Sequence, residues 1–181
     1  MGKQYKLLTD KDIEFIKAQK LFYIASASGK EVNLSPKGYD SIRILNNHSL
    51  LYLGYPGSGN RTYRDAVSDG EFTLVFNSFD EKAMILRLFC KTKIVEDKSD
   101  IFYEYLKLFT EKEKLIRNFF IFEIYAVESS CGETIPYMEY KEERNSLKNW
   151  MIKMDKNDKL ETYKENHFIP RDMKNIKESG D

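Results

Sequence analysis

MILRLFCKTKIV, residues Met84–Val95, decides the class of fold. Apolar or small side chains occupy every second position of this stretch, and Arg87, Lys91 and Lys93 lie between them. A period of two with one apolar face is typical of a half-buried strand in an antiparallel sheet. We interpret Cys90, on the apolar face, as a small core residue. The basic face is interpreted as solvated, with contact to an anion as the alternative.

The segments on either side of this strand predict more strands, with helices around them. The predicted strands are Leu21–Ala27, Glu31–Ser35, Ile42–Leu45, Leu50–Leu53, Glu71–Asn77 and Phe119–Val127, and the predicted helices are Asp10–Lys20, Asn60–Val67, one that Ser99 opens and a short one through Ile116. Thr9 and Asp12 form an imperfect capping box, whereas Thr110 and Glu113 form a complete one. Because strands and helices do not alternate, we predict a mainly β, α+β fold built on an antiparallel sheet or barrel.

The composition of the chain excludes several classes of function. The chain has 181 residues, with 29 basic and 29 acidic side chains, so nothing attracts nucleic acid in general. The residues before Lys6 contain no secretory segment, and Phe119–Val127 is too short to span a bilayer. Cys90 and Cys131 have no zinc spacing and are interpreted as reduced thiols. We therefore expect a cytoplasmic protein without a metal, a nucleic-acid partner or a membrane contact.

The glycine-rich stretch Gly54–Thr62 (GYPGSGNRT) is a candidate phosphate site. Its glycines permit close backbone approach, the predicted helix at Asn60 offers free N–H groups, and Arg61 can bind two phosphate oxygens. A Walker A loop is excluded because Asn60-Arg61-Thr62 replaces the required lysine and hydroxyl pair. A nucleophile elbow is excluded as well. A solvated connection with an exposed arginine remains the alternative.

A second segment, Leu34–Gly38 (LSPKG), ends the first predicted hairpin with a hydroxyl and a cation together. Residues 30–64 hold five basic and two acidic side chains in an otherwise neutral chain. A local excess of positive charge of this size favours one bound anion over a polyanion.

Other notable side chains are assigned no chemistry. His48, His167 and Cys131 have no partner at ligand or catalytic spacing and are interpreted as ordinary side chains. Trp150 is interpreted as packing the C-terminal helix onto the protein, with an apolar wall for a planar ligand as the alternative. No side chain stands out as a general acid or base, so no catalytic residue is assigned.

Several segments carry a family resemblance: Phe22–Gly29, Val32–Gly38, Leu51–Leu53, Gly59–Arg61, Leu74–Asn77 and Leu86–Val95. In order and spacing they resemble the pyridoxamine 5'-phosphate oxidase-like, FMN-binding split-barrel proteins over residues 9–127. Glu143–Trp150 resembles the C-terminal extension of a less characterised branch of that family.

The resemblance implies an antiparallel split barrel with peripheral helices. Residues 1–130 would form the FMN-binding split-barrel domain, and residues 131–181 a helical extension packed on it within a single structural domain. The family resemblance further implies a homodimer with the flavin in a groove between the subunits. The cofactor contacts that it implies are Lys37, Asn60, Arg61 and Thr62, with Ser35 and Tyr52 as weaker candidates.

The chain also departs from the vitamin-processing oxidases of the family. Val32 or Asn33 stands where they carry an arginine, Ile85 stands where they carry a glutamine, and their C-terminal Arg-x-His-Asp-Arg motif is missing. These departures argue against pyridoxamine 5'-phosphate oxidation itself. The resemblance implies an FMN-dependent oxidoreductase with an unassigned substrate and electron donor. The alternatives are a module that binds or stores flavin, haem or another cofactor without turnover, and a structural dimer with an empty site.

Overall fold

The structure is a computed structural model and describes residues 2–173. The strands are β1 (Lys3–Tyr5), β2 (Phe22–Ala27), β3 (Asn33–Lys37), β4 (Ile42–Asn46), β5 (Ser49–Gly54), β6 (Glu71–Asn77), β7 (Met84–Glu96) and β8 (Asn118–Cys131). The helices are α1 (Asp10–Ala18), α2 (Arg61–Val67), α3 (Asp100–Leu106), α4 (Ser146–Lys156) and α5 (Leu160–Asn166), with a 3-10 turn at Glu113–Leu115.

The strands form one antiparallel sheet in the order β3-β2-β6-β7-β8-β5-β4, and β1 pairs with β8. Since β3 and β4 are the two ends of this order, the sheet is open. Helices α1 to α5 lie outside the sheet order. The predicted mainly β, α+β fold, an antiparallel sheet with peripheral helices, is confirmed, and an open sheet is compatible with the predicted split barrel.

The alternation predicted for β7 is confirmed. Leu86, Leu88 and Cys90 are fully buried on one face, in the main core. The basic side chains of the opposite face are solvated, as predicted, although Val95 at its end is buried in a second core. These basic side chains pair with acids on the neighbouring strands: Arg87 with Glu128 (3.2 Å), Lys91 with Glu71 (2.6 Å) and Lys93 with Glu123 (2.5 Å). The positive charge of this face is therefore compensated locally and leaves no excess for an anion.

Strand β3 begins at Asn33, two residues later than predicted, and ends at Lys37. Antiparallel pairing sets Asn33 opposite Ser26 and Lys37 opposite Phe22. The connection from β2 is therefore longer than the predicted turn at Ser28-Gly29-Lys30. As a result, Lys37 belongs to β3, an edge strand of the sheet, and not to the following loop.

The two predicted capping boxes have opposite outcomes. The box at Thr9 is complete, because the Asp12 carboxylate accepts from the Thr9 amide (2.8 Å) and the Thr9 hydroxyl accepts from the Asp12 amide (3.3 Å). The box at Thr110 is wrong, since only a single 3-10 turn forms there. The Glu113 carboxylate instead accepts a hydrogen bond from the Tyr103 hydroxyl (3.1 Å).

The C-terminal helices pack on the rest of the chain through a small apolar cluster. Met151 and Leu160 are buried there together with Leu115. Trp150 lies against the Tyr163 ring, with 4.6 Å between the ring centroids, which agrees with the predicted packing role. Within residues 2–173 the helices are too short or too polar to cross a membrane.

Candidate functional site

Two adjoining cavities lie where β3 meets the loop that follows β5. The small cavity, of about 220 Å³, is lined by all six residues proposed from the sequence: Ser35, Lys37, Tyr52, Asn60, Arg61 and Thr62. The large cavity has a volume of about 750 Å³. Lys37, Tyr52, Tyr55 and Gly57 line both cavities, so one elongated ligand can reach from one into the other.

Gly54 allows the end of β5 to approach β8 at the small cavity. It pairs with Asn118, and a Cβ atom at position 54 would lie 2.8 Å from the Asn118 side-chain oxygen. Such a distance is shorter than a van der Waals contact, so the approach requires a glycine. Asn118 also lines the small cavity, and Gly54 therefore sets the shape of its wall.

Lys37 is the cation shared by the two cavities. Its Nζ lies 5.8 Å from the centre of the Tyr52 ring, and no carboxylate in residues 2–173 forms an ion pair with it. Burial lowers the pKa of Lys37, because the charged ammonium loses hydration that no acid replaces. Lys37 can therefore contact an anion in either cavity.

Arg117 is a lining residue that sequence reasoning missed. It is 8% exposed and stands immediately before β8. The Nη1 and Nη2 atoms make only long hydrogen bonds, to the carbonyls of His167 (3.5 Å) and Gly57 (3.4 Å), and the buried Nε atom has no partner in the described chain. Burial also lowers its pKa. An arginine within the apolar run from Leu115 to Phe122 was the signal that could have identified it.

Neutral polar groups complete the small cavity. The Asn33 amide donates to the Thr62 hydroxyl (3.4 Å), and the Ser35 hydroxyl donates to the Asn33 side-chain oxygen (3.2 Å). The buried Asn118 side-chain nitrogen has no hydrogen-bond partner within residues 2–173. An unsatisfied donor of this kind favours a ligand with acceptor oxygens.

Arg61 reaches the small cavity but is already engaged. Its Nε donates to Glu31 Oε1 (3.0 Å), and Arg64 Nη1 donates to the same oxygen (2.5 Å). The Arg64 and Arg61 hydrogen bonds hold the pKa of Glu31 at about 2. Arg43 also pairs with Asp40 (2.5 Å), so both acidic side chains counted in residues 30–64 are engaged by arginines of the same segment.

Asn60 contacts the C-terminal segment and does not cap α2. Its backbone is left-handed, with φ of 43°, and its side-chain amide donates to the Phe168 carbonyl (2.7 Å). Arg61 Nη2 contacts the Met173 sulfur (3.1 Å), and the Phe168 ring packs on Tyr63. Residues of the segment 167–173 therefore contact Asn60, Arg61 and Arg117, which line the small cavity, but do not line it themselves.

The large cavity lies between the sheet and the C-terminal extension. Residues of the extension, Tyr140, Glu142, Glu143, Arg144 and Leu147, form one wall, and Tyr39, Tyr52 and Tyr55 are among the residues of the other. The Tyr39 hydroxyl donates to the Arg144 carbonyl, and Lys148 packs over the Tyr39 ring. Burial raises the pKa of Tyr55, so its phenol stays neutral. The cavity is thus rich in aromatic rings, and Trp150 does not line it.

The remaining candidates from the sequence take no part in either cavity. Cys90 is buried and Cys131 is exposed, and burial raises the pKa of Cys90 far above its usual range. The His167 ring stacks on Tyr163, and His48 contacts Asn47. Across residues 2–173, no cluster of three His, Cys, Asp or Glu side chains could hold a metal ion.

The fold and site define a split-barrel protein, and solved structures share the fold. A putative pyridoxamine 5'-phosphate oxidase from Lactobacillus delbrueckii has a TM-score of 0.55 and 19% identity, over 68% of this chain and 98% of that one. HupZ from Group A Streptococcus has a TM-score of 0.55 and 16% identity, over 66% of this chain and 91% of that one.

A curated relative identifies the family. The pyridoxamine 5'-phosphate oxidase family protein ustO of Aspergillus flavus is 31% identical over 140 residues, which are 75% of this chain. The chain spans only about half of that relative, 56% of its length. No family model matches the chain. The chain belongs to the pyridoxamine 5'-phosphate oxidase-like family.

Proposed function

We propose that this protein binds FMN and acts as an oxidoreductase. One observation carries the proposal: the six residues selected from the sequence meet in one small polar cavity, at a half-buried Lys37 without a carboxylate partner in residues 2–173. Burying a cation is costly unless an opposite charge compensates it. A phosphate group provides that charge together with several acceptor oxygens.

The adjoining cavities suit a ligand with a phosphate at one end and a planar ring at the other. Lys37, Thr62 and Asn118 would hold the phosphate in the small cavity. The tyrosine-lined large cavity has space for the flavin ring, and Arg144 and its neighbours would limit the access of water. Bound FMN supplies the hydride and electron chemistry, while the chain supplies binding and orientation.

The oxidoreductase activity and the choice of FMN are supported by family membership and by the cavity pair together. The departures at Val32 or Asn33 and at Ile85 favour a substrate other than pyridoxamine 5'-phosphate. Among the described residues, neither cavity is lined by a histidine or cysteine side chain, and the hydride and electron chemistry that we propose is that of the cofactor. We place this activity in the cytoplasm.

We propose a homodimer as the working form. Val32 and Leu34, beside and on edge strand β3, are 74% and 63% exposed, next to the small cavity. Covering these apolar side chains with a second copy would bury them and close the edge of the sheet. Light scattering of the flavin-loaded protein is expected to give twice the monomer mass of 21.4 kDa. A monomer with flavin bound would contradict the dimer.

The colour of the purified protein tests the proposed cofactor. We expect the flavin absorption spectrum, and we expect heat denaturation to release FMN that chromatography separates from FAD and riboflavin. Protein that stays colourless after incubation with FMN would overturn flavin binding, and released FAD or haem would replace FMN by that group. Reduction of the bound flavin by NADH or NADPH, followed by reoxidation with an acceptor, separates an oxidoreductase from a storage protein.

A further inference from the structure

We infer that Arg117 is the residue that makes the small cavity selective for a phosphate monoester. For the identity of the ligand, FMN, this inference rests on the proposed function. The inference about selectivity rests on the guanidinium N–H groups of Arg117, which lack good acceptors in residues 2–173, and on the polar side chains around them in the small cavity.

The guanidinium of Arg117 has more donors than the described chain satisfies. A guanidinium carries five N–H groups, and it prefers to bind two oxygens of one anion with its planar fork. Here its two polar contacts are carbonyls at 3.5 and 3.4 Å, close to the limit of a hydrogen bond, and the Nε atom has no partner. The buried guanidinium therefore has N–H groups for which residues 2–173 provide no well-placed acceptor.

The surroundings of Arg117 match the chemistry of a dianion. The same small cavity contains the Lys37 side chain as a second cation, the unsatisfied Asn118 amide and the Thr62 hydroxyl. Neither Arg117 nor Lys37 has a carboxylate partner in the part of the chain that the structure describes, whereas Arg61 and Arg64 share Glu31. A phosphate monoester brings two negative charges and several acceptor oxygens to this place, which neutralises both cations at once.

This arrangement has a consequence for stability that an ordinary structural arginine would not have. A buried cation without a partner destabilises the fold, and an apolar side chain of similar length removes that cost. Residues kept for binding commonly reduce stability in this way. The substitution Arg117→Met should therefore stabilise the free protein while it removes anion binding, and a structural arginine would give the opposite change in stability.

The experiment compares thermal unfolding of wild type, Arg117→Met and a control, Arg87→Met, with and without inorganic phosphate at constant ionic strength. Arg87 lines neither cavity and pairs with Glu128 on the outer face of the sheet. We expect phosphate to raise the unfolding temperature of wild type and of the control. We expect Arg117→Met to unfold about 2–8 °C above wild type without ligand and to lose the response to phosphate.

Titrations with FMN and riboflavin then test the link to the proposed function. Arg117→Met should bind FMN about 10- to 150-fold more weakly than wild type, with riboflavin unchanged. If Arg117→Met does not fold, Arg117→Lys decides, because it keeps the charge but lacks the fork. That variant should also lose FMN affinity and keep riboflavin affinity.

Two results would overturn the inference: an unchanged response to phosphate and FMN in the Arg117 variants, or a lower unfolding temperature in Arg117→Met with the phosphate response retained. A phosphate response that depends on Arg117, in a protein that does not bind FMN, would refute the proposed function and leave the inference intact. FMN binding with unchanged affinity in the Arg117 variants would refute the inference and leave the proposed function intact.

Discussion

Lys37 on β3 and Arg117 immediately before β8 line the same small cavity, and neither forms an ion pair with a carboxylate among residues 2–173. They come from opposite sides of the sheet order, since β3 is one edge and β8 lies toward the other. A buried arginine and a half-buried lysine at one place oppose folding unless an anion joins them. The proposed phosphate site follows from this relationship.

Replacing Lys37 should change stability in a pH-dependent way. We expect Lys37→Met to raise the free energy of unfolding of the ligand-free protein by about 1 kcal/mol at neutral pH, because a half-buried charge without a carboxylate partner in residues 2–173 is removed. Since the pKa of Lys37 is lowered from 10.5, the unfolded chain binds its proton more tightly than the folded one. Wild type therefore gains stability relative to the variant as the pH rises toward 10.5.

Denaturant unfolding of both proteins at several pH values measures this difference. Lys20→Met is a suitable control, because Lys20 lines only the large cavity and lies over the Tyr140 ring. A difference between wild type and Lys37→Met that stays constant up to pH 10.5 would be evidence that Lys37 is not buried as a cation.

Arg61→Ala should weaken FMN binding by about tenfold, the lower part of the range for a charged hydrogen bond. The reason for a modest effect is Glu31, which already accepts from the Arg61 Nε and partly neutralises its charge. Calorimetric titration with FMN measures the change, and Arg87→Ala serves as the control. Equal losses of FMN and riboflavin affinity would mean that Arg61 supports the fold of the loop and not the phosphate.

Gly54→Ala should destabilise the protein by about 1–3 kcal/mol through overpacking. The added Cβ would lie 2.8 Å from the Asn118 side-chain oxygen and 3.1 Å from the Phe120 ring. Gly57→Ala is the matched control in the loop that follows β5, where a Cβ meets no atom within 4 Å, and it should stay within about 1 kcal/mol of wild type. Similar unfolding midpoints for the two variants would rule out the close approach of β5 and β8.

Trp150→Ala should lower stability by about 2–3 kcal/mol, because Trp150 packs on Tyr163 beside the buried Met151. Its affinity for FMN should equal that of wild type, since Trp150 lines neither cavity. Thermal unfolding and FMN titration of the same preparation measure both quantities. Lost FMN binding at unchanged stability would instead make Trp150 part of the cofactor site.

Much of the fold could be predicted because the spacing of apolar and polar residues along a strand indicates which side chains face the core. The alternation in β7 was predicted from apolar periodicity, and the bounds of β6, Glu71–Asn77, were predicted from its content of Phe, Thr, Leu and Val. The error at Thr110 arose because a local capping pattern competes with tertiary contacts, and Glu113 is held by Tyr103. The register of β3 also depends on its pairing with β2, which a single sequence does not reveal.

The site was predicted only in part, because some of its residues lie far apart in sequence and some of its charges are paired only in the folded chain. Lys37 and the loop residues were selected by local charge and glycine content, and the structure brings all six selected side chains to one cavity. Arg117 was missed because the charge count stopped at residue 64, far from it in sequence. The pairing of Glu31 with Arg61 and Arg64 could not be predicted either, because it depends on the position of α2 against the β2–β3 connection.

Parallel calorimetric titrations of the wild-type protein, freed of bound cofactor, with FMN and with riboflavin measure how much the phosphate group contributes to binding. The two ligands share the ring system and differ in the phosphate, so their difference in affinity isolates the small cavity. With Lys37 and Arg117 both facing the phosphate, we predict that FMN binds at least about 100-fold more tightly than riboflavin. Equal affinities, or no heat with either ligand, would contradict the account.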